Sequence, residues 1–172
     1  DVDEVSPPSV PTMTTDAALT FDGVSPSGQG RVRLIACGAL AREILALKAA
    51  NGWDHLDLQC LPAILHNHPE RIVPAVRDAV AKHRADYASV FVVYADCGTG
   101  GLLEAACAEL GVQMIAGPHC YSFFEGNDVF AARDEMTAFY LTDFLVRQFD
   151  AFVWDPLGLG RHPDMSDMYF GH

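Results

Sequence analysis

Five cysteines, Cys37, Cys60, Cys97, Cys107 and Cys120, and seven histidines are the residues best suited to chemistry in this 172-residue chain. A thiolate is both a nucleophile and a metal ligand, and an imidazole is both a base and a metal ligand. Three thiols with one histidine make the Cys₃His set that holds zinc, and thiolate-rich sets also hold iron–sulfur clusters. There is no C-x₂-C pair, and the steps from 37 to 60 and from 97 to 120 are each 23 residues. Linear spacing therefore gives no metal signature, and the fold must assemble any site. The rival chemistry is metal-free: one thiolate, at Cys97 or Cys120, activated at a helix N-terminus with His119 as its base. An odd number of cysteines in a domain of this size argues against a disulfide scaffold and for reduced thiols in a cytosolic protein.

Asp96-Cys97-Gly98-Thr99-Gly100-Gly101 is a glycine-rich stretch that opens a helix. Its backbone N–H groups can cradle a carboxylate or phosphate, and its glycines suit a tight turn with positive φ. Asp96 can serve as a general base or as a partner to a histidine ligand. Tyr94, Tyr121, Phe123 and Phe124 can wall a pocket beside it.

These residues need elements to position them. Val32–Ala36, Leu56–Cys60, Ser89–Tyr94, Val112–Ala116 and Ala151–Trp154 read as strands. Helices are expected over Leu40–Ala50, Pro69–Arg84, Gly101–Leu110 and Ala131–Phe149. Leu40, Ile44 and Leu47 share helical spacing in the first, which Asn51-Gly52 closes as a C-cap. Ile72, Val76 and Val80 share one face of the second. The alternation predicts a single doubly wound, Rossmann-like α/β domain, with a mostly parallel sheet of about five strands and helices on both faces. Ligands in such sheets bind beyond the carboxyl ends of the strands. Cys37 follows the first strand, Cys60 ends the second, Asp96 and Cys97 follow the third, and His119 and Cys120 follow the fourth. The loop carrying His66 and His68 leaves the same edge. Cys107 falls in mid-helix and reads as a small core residue. The first strand is followed by Cys37-Gly38-Ala39-Leu40 rather than G-x-G-x-x-G, so a dinucleotide site of the usual kind is not expected.

Residues 1–30, rich in Pro and Ser, read as a flexible segment preceding an α/β domain at 31–172, and Met13 reads as a start. The tail from Asp155 to His172 is irregular, and it reads either as a lid bringing Arg161 or His162 to an anionic substrate at the site or as a connection to a further strand. A net charge of −12 argues against nucleic-acid binding and against docking on anionic membranes. No apolar run approaches the roughly 18 residues of a membrane span, and no secretory signal is visible. A cytoplasmic protein acting on a small molecule is the expectation.

The runs Leu-Ile-Ala-Cys37-Gly, Leu61-Pro-Ala-Ile-Leu-His66-Asn67-His68-Pro69-Glu70, Tyr94-Ala-Asp96-Cys97-Gly98-Thr-Gly and Gly117-Pro-His119-Cys120-Tyr121 together resemble the bacterial and archaeal family of domain of unknown function 1638, over about residues 31–172. That family often neighbours corrinoid-dependent methyltransferases. The resemblance implies a role in one-carbon metabolism, with a corrinoid protein or methyltransferase as a partner and corrinoid reached only through it. It also implies a C-terminus short of the family's usual length. Carried onto this chain, its motif positions are Cys37, His66, Asn67, Asp96, Cys97, Gly98, His119 and Cys120. The site expected from residues and resemblance together has Cys37, His66, Cys97 and Cys120 holding zinc or iron. Asp96 and His119 act as catalytic groups, with Tyr94, Asn67, Gly98, Thr99 and Tyr121 about the substrate. The expected function is that of a metal-dependent transferase or an accessory protein. Metal-free cysteine catalysis and non-catalytic cofactor carriage stand as alternatives.

Overall fold

The computed structural model describes residues 14–133 and 139–171. A first short helix, α1 (Asp16–Phe21), is capped by the Thr15 hydroxyl, which accepts the Ala18 N–H at 3.2 Å. The chain then alternates through β1 (Val32–Cys37), α2 (Ala41–Asn51), β2 (Leu56–Leu61), α3 (Ile72–His83), β3 (Ser89–Val93), α4 (Leu102–Leu110) and β4 (Gln113–Met114). Past the fourth strand come α5 (Asn127–Ala132), α6 (Asp143–Arg147) and α7 (Ser166–Phe170).

The four strands form one all-parallel sheet in the order β2-β1-β3-β4, with the helices around it. The α/β class and parallel sheet expected from the sequence are present. Chain order reverses between β1 and β3, so the loops leaving those two strands diverge and open a crevice there. Cys37 ends β1 and Asp96-Cys97 follows β3, which puts them on either side of it. Ile35, Val92, Val76, Val80, Ile72 and Leu103 are essentially inaccessible to solvent and form the centre of the core. Burying each such side chain contributes roughly 2 kcal/mol. The predicted face of α3 is buried as expected. Gly52 closes α2 at φ 62°, in the left-handed region that glycine enters without a Cβ clash. Leu47, however, is exposed, because α2 meets the core mainly through its first turn, at Leu40 and Ala41.

Three expectations are corrected. The fifth strand does not form: Asp150–Trp154 is a π-helical turn that buries Phe152 and Val153. A four-residue apolar run fits a buried helix segment as well as a strand. The sheet also ends in the two residues of β4, which offer little edge to pair with. The long helix over Ala131–Phe149 is not continuous. Residues 139–142 are non-helical, and α6 begins afresh where the Thr142 hydroxyl accepts the Leu145 N–H at 3.3 Å. Thr142-Asp143 is thus a helix start inside the apolar run.

The third correction concerns the N-terminal segment. Residues 1–12 and Met13 lie outside the described residues, but 14–30 are packed onto the domain. Leu19 and Thr20 of α1 are buried, and Val24 pairs antiparallel with Cys60. Asp16 bonds Arg42 of α2 and Arg147 of α6 at 2.8 and 2.9 Å. The Asp57 carboxylate accepts the N–H groups of Ser27 and Gly28 and the Tyr87 hydroxyl. A buried carboxylate needs such donors, and the polar stretch supplies them. No helix among the described residues is long and apolar enough to cross a membrane.

Candidate functional site

A pocket enclosing about 220 Å³ lies beyond the carboxyl ends of β1 and β3. Cys37, Cys97 and Cys120 line it together with His66, His119, Tyr94 and Tyr121. Its remaining wall is largely apolar, with Leu40, Ile72, Phe124, Leu145 and Phe152 among the contributors. Among the described residues, no Asp, Glu, Lys or Arg lines it.

The loops after β3 and β4 are tied together. The Asp96 N–H donates to the Gly117 carbonyl at 2.9 Å and the Cys97 N–H to the Pro118 carbonyl at 3.0 Å. This pairing sets the Cys97 and Cys120 sulfurs 3.1 Å apart. Cys97 has φ 48°, and among the described residues it is the sole non-glycine with positive φ. An L-residue in that region costs roughly 1–2 kcal/mol, and the two backbone bonds hold it there. On the β4 side, Gly117 has φ 153°, and a Cβ there would stand 2.7 Å from Asn127 Oδ1 and 2.9 Å from Ser122 Oγ. The buried Ser122 hydroxyl lies 2.7 Å from the His119 carbonyl, and Asn127 Nδ2 donates to the Ala116 carbonyl at 2.7 Å. The turn carrying His119 and Cys120 is thereby fixed from beneath.

The electrostatics of the sulfurs differ. Cys37 is buried, and loss of water pushes its thiol up to about 11. Cys97 is held below the usual thiol range, first by the hydrogen bond from Cys120 and then by the backbone amide of Cys120. Cys120 is pushed far up, first because its proton is the one engaged by Cys97. Of the two coupled thiols, Cys97 is therefore the one favoured to ionise first.

The Tyr94 hydroxyl is buried and has no hydrogen-bond partner among the described residues. It stands against the Cys37 sulfur without the geometry of a full hydrogen bond. Burial keeps this phenol protonated, so it remains a donor. Tyr121 lies 3.3 Å from His66 Nε2 through its hydroxyl and stacks on Tyr140 at 5.8 Å between ring centroids. His66 is an exposed residue, but its ring is crowded by Tyr121 and Phe152, with centroids at 5.9 and 6.0 Å. That crowding, with the neighbouring His119, holds it below the ordinary imidazole value. Nδ2 of Asn67 donates to the Ala151 carbonyl at 3.4 Å and fastens the His66 loop to the π-helical turn, outside the pocket wall.

The glycine-rich loop does something other than the expected anion binding. Asp96 Oδ1 accepts the Gly101 N–H at 2.6 Å and the Thr99 hydroxyl at 2.8 Å, and Oδ2 accepts the Gly100 N–H at 3.1 Å. The cradle is filled by the chain's own carboxylate, which the Gly101 amide holds below the usual carboxylate range. Asp96 and Thr99 shape the loop from behind, and neither lines the pocket, whereas Gly98 does. The register pairs Cys60 with Ala36, so alternation along the strand turns Cys60 to the face away from Cys37. Cys60 and Cys107 are buried in the core.

The C-terminal tail does not cover the pocket: Phe152 is the last described residue to line it, and Arg161 and His162 are exposed elsewhere. Phe152, Leu145 and Thr142 are wall residues that the sequence reading missed. They lie in the segments misread as a strand and a long helix, and the Thr142-Asp143 start was the available signal. Among the described residues, no three His, Cys, Asp or Glu side chains converge closely enough to hold a metal ion. Two thiolates bound at 2.3 Å to a tetrahedral zinc would stand about 3.8 Å apart. The Cys97 and Cys120 sulfurs, at 3.1 Å, stand closer than that.

No curated protein and no solved structure matches the chain. A family model described as Protein of unknown function (DUF1638) matches residues 60–172, a span that holds His66, Cys97, His119 and Cys120 and begins after Cys37, and the chain belongs to that family.

Proposed function

We propose that the chain is a cysteine-dependent enzyme acting on a small uncharged molecule, with Cys97 as its thiolate nucleophile. The observation that carries this reading is the 3.1 Å approach of the Cys120 sulfur to the Cys97 sulfur inside one pocket. A thiol donating to its neighbour stabilises that neighbour's thiolate, which is the reactive form. The absence of Lys and Arg from the described wall favours a neutral substrate, because a carboxylate or phosphate would enter without a fixed cation to meet it. Tyr94 offers a buried O–H to an acceptor on that substrate, and His119, on the same wall, is the group suited to carry a proton. The test is the rate at which iodoacetamide alkylates each cysteine of metal-free protein. Fast labelling confined to Cys97 supports the reading, and uniform slow labelling of all five cysteines sinks it.

A second reading is favoured by the third sulfur in the pocket, Cys37, and by His66 on the same wall. In it, Cys37, Cys97, Cys120 and His66 hold zinc or iron, or an iron–sulfur cluster, after the sulfur pair opens slightly. A thiolate-bound zinc supplies Lewis acidity suited to methyl transfer. The corrinoid-linked role, with a corrinoid protein or methyltransferase as partner, belongs to this reading. Elemental analysis of protein purified without oxygen separates the two. About one metal per chain in wild type, lost in Cys37→Ser, favours the second reading, and metal-free protein with a fast Cys97 favours the first.

A further inference from the structure

We propose that Cys97 and Cys120 form a dithiol–disulfide couple that exchanges with a small uncharged disulfide admitted by the pocket. This rests on the reading of Cys97 as the nucleophile and adds the substrate class and the part played by Cys120. The two sulfurs stand 3.1 Å apart, whereas a disulfide bond is about 2.05 Å long. Closing the bond needs an approach of about 1 Å. The backbone around the pair is already fixed, by the bonds from Asp96 to Gly117 and from Cys97 to Pro118. Both sulfurs face the pocket, so a small disulfide reaches them from that side.

The exchange runs in two displacements. The Cys97 thiolate attacks one sulfur of R–S–S–R. A new S–S bond forms between Cys97 and that sulfur, the substrate S–S bond breaks, and R–S⁻ leaves. The Cys120 sulfur then attacks the Cys97 sulfur, forming the Cys97–Cys120 bond and expelling the second R–S⁻. The proton of Cys120 passes to a departing thiolate. The dithiol loses two electrons and the substrate disulfide gains them.

The test uses the full chain, reduced and freed of metal, with bis(2-hydroxyethyl) disulfide as an uncharged probe. Wild type is expected to release two equivalents of 2-mercaptoethanol, and peptide mapping should find the Cys97–Cys120 bridge with Cys37 still free. Cys120→Ser is expected to stop after one equivalent, with the hydroxyethylthio group on Cys97. The proposal is overturned if wild type also stops at the mixed disulfide, or if the bridge includes Cys37. Iodoacetamide labelling of the same preparation separates the two levels. Selective labelling of Cys97 without bridge formation leaves the nucleophile and removes the couple. Slow reaction of every cysteine with both reagents removes both.

Discussion

The Cys97 and Cys120 sulfurs lie 3.1 Å apart although 23 residues separate them in the chain. They meet because β3 and β4 are parallel neighbours and the loops leaving them share two backbone hydrogen bonds. The asymmetry that follows, with Cys97 the thiol favoured to ionise and Cys120 the one disfavoured, is open to direct measurement.

Replacing Cys120 with Ala removes the donor that holds the Cys97 pKa down. The alkylation rate follows the thiolate fraction, so in wild type it rises at a pH below that of an ordinary cysteine. In Cys120→Ala the rise should move up, and each unit of that movement lowers the rate at lower pH about tenfold. Iodoacetamide kinetics across pH measure it; an unmoved profile would show that Cys120 does not tune Cys97.

Gly117→Ala should cost about 2 kcal/mol, since its Cβ would press on Asn127 Oδ1 and Ser122 Oγ at 2.7 and 2.9 Å. Those contacts lie under the turn carrying His119 and Cys120, so the same variant should weaken the selectivity of Cys97 labelling. Urea denaturation and labelling, measured on one preparation, report both effects. Full stability with full selectivity would mean that the turn yields without consequence.

Tyr94→Phe should leave stability unchanged or slightly higher, unlike most losses of a buried hydroxyl. The hydroxyl has no partner among the described residues, so its removal relieves a desolvation cost of about 1–3 kcal/mol rather than breaking a bond. Thermal unfolding decides this, and a clear loss of stability would reveal an acceptor that the hydroxyl engages.

Asp96 gives a pH prediction. Its folded pKa is depressed by the Gly101, Thr99 and Gly100 donors, so the unfolded chain binds its proton more readily. Its contribution to stability is therefore complete above the ordinary carboxylate range, and it is lost as pH falls through the folded value. Asp96→Ala should cost on the order of 1 kcal/mol near neutral pH, the scale of a helix-capping group. The gap to wild type should narrow toward pH 3 in urea denaturation. An unchanged gap at low pH would assign the loss to packing instead of charge.

Much of the frame was legible in the sequence because it rests on local periodicity. The strands at 32, 56 and 89 and the helices beginning near 41, 72 and 102 follow from apolar runs, a 3.6-residue face and glycine stops. The convergence of Cys37, Cys97 and Cys120 followed from the parallel topology, since Cys37 ends β1 and the other two lie in the loops leaving β3 and β4. The region after residue 126 was misread because its apolar residues carry no single period. Packing of Phe152 against Phe144 and His66 settled a turn where the run alone permitted a strand. The Pro- and Ser-rich start also misled, because burial of Asp57 and Leu19 is invisible in composition.

By itself, the sequence determined the parallel sheet and the edge at which the thiols gather, because hydrophobic period and strand order are properties of the chain. Which thiols face one another was decided only in three dimensions. Register turned Cys60 away from Cys37, while inter-loop hydrogen bonds drew Cys120 onto Cys97. Asp96 was likewise drawn into its own loop, where the Gly100 and Gly101 amides donate to its carboxylate. Side-chain direction and the competition for hydrogen-bond donors depend on distances between residues far apart in the chain, and only the folded molecule fixes those.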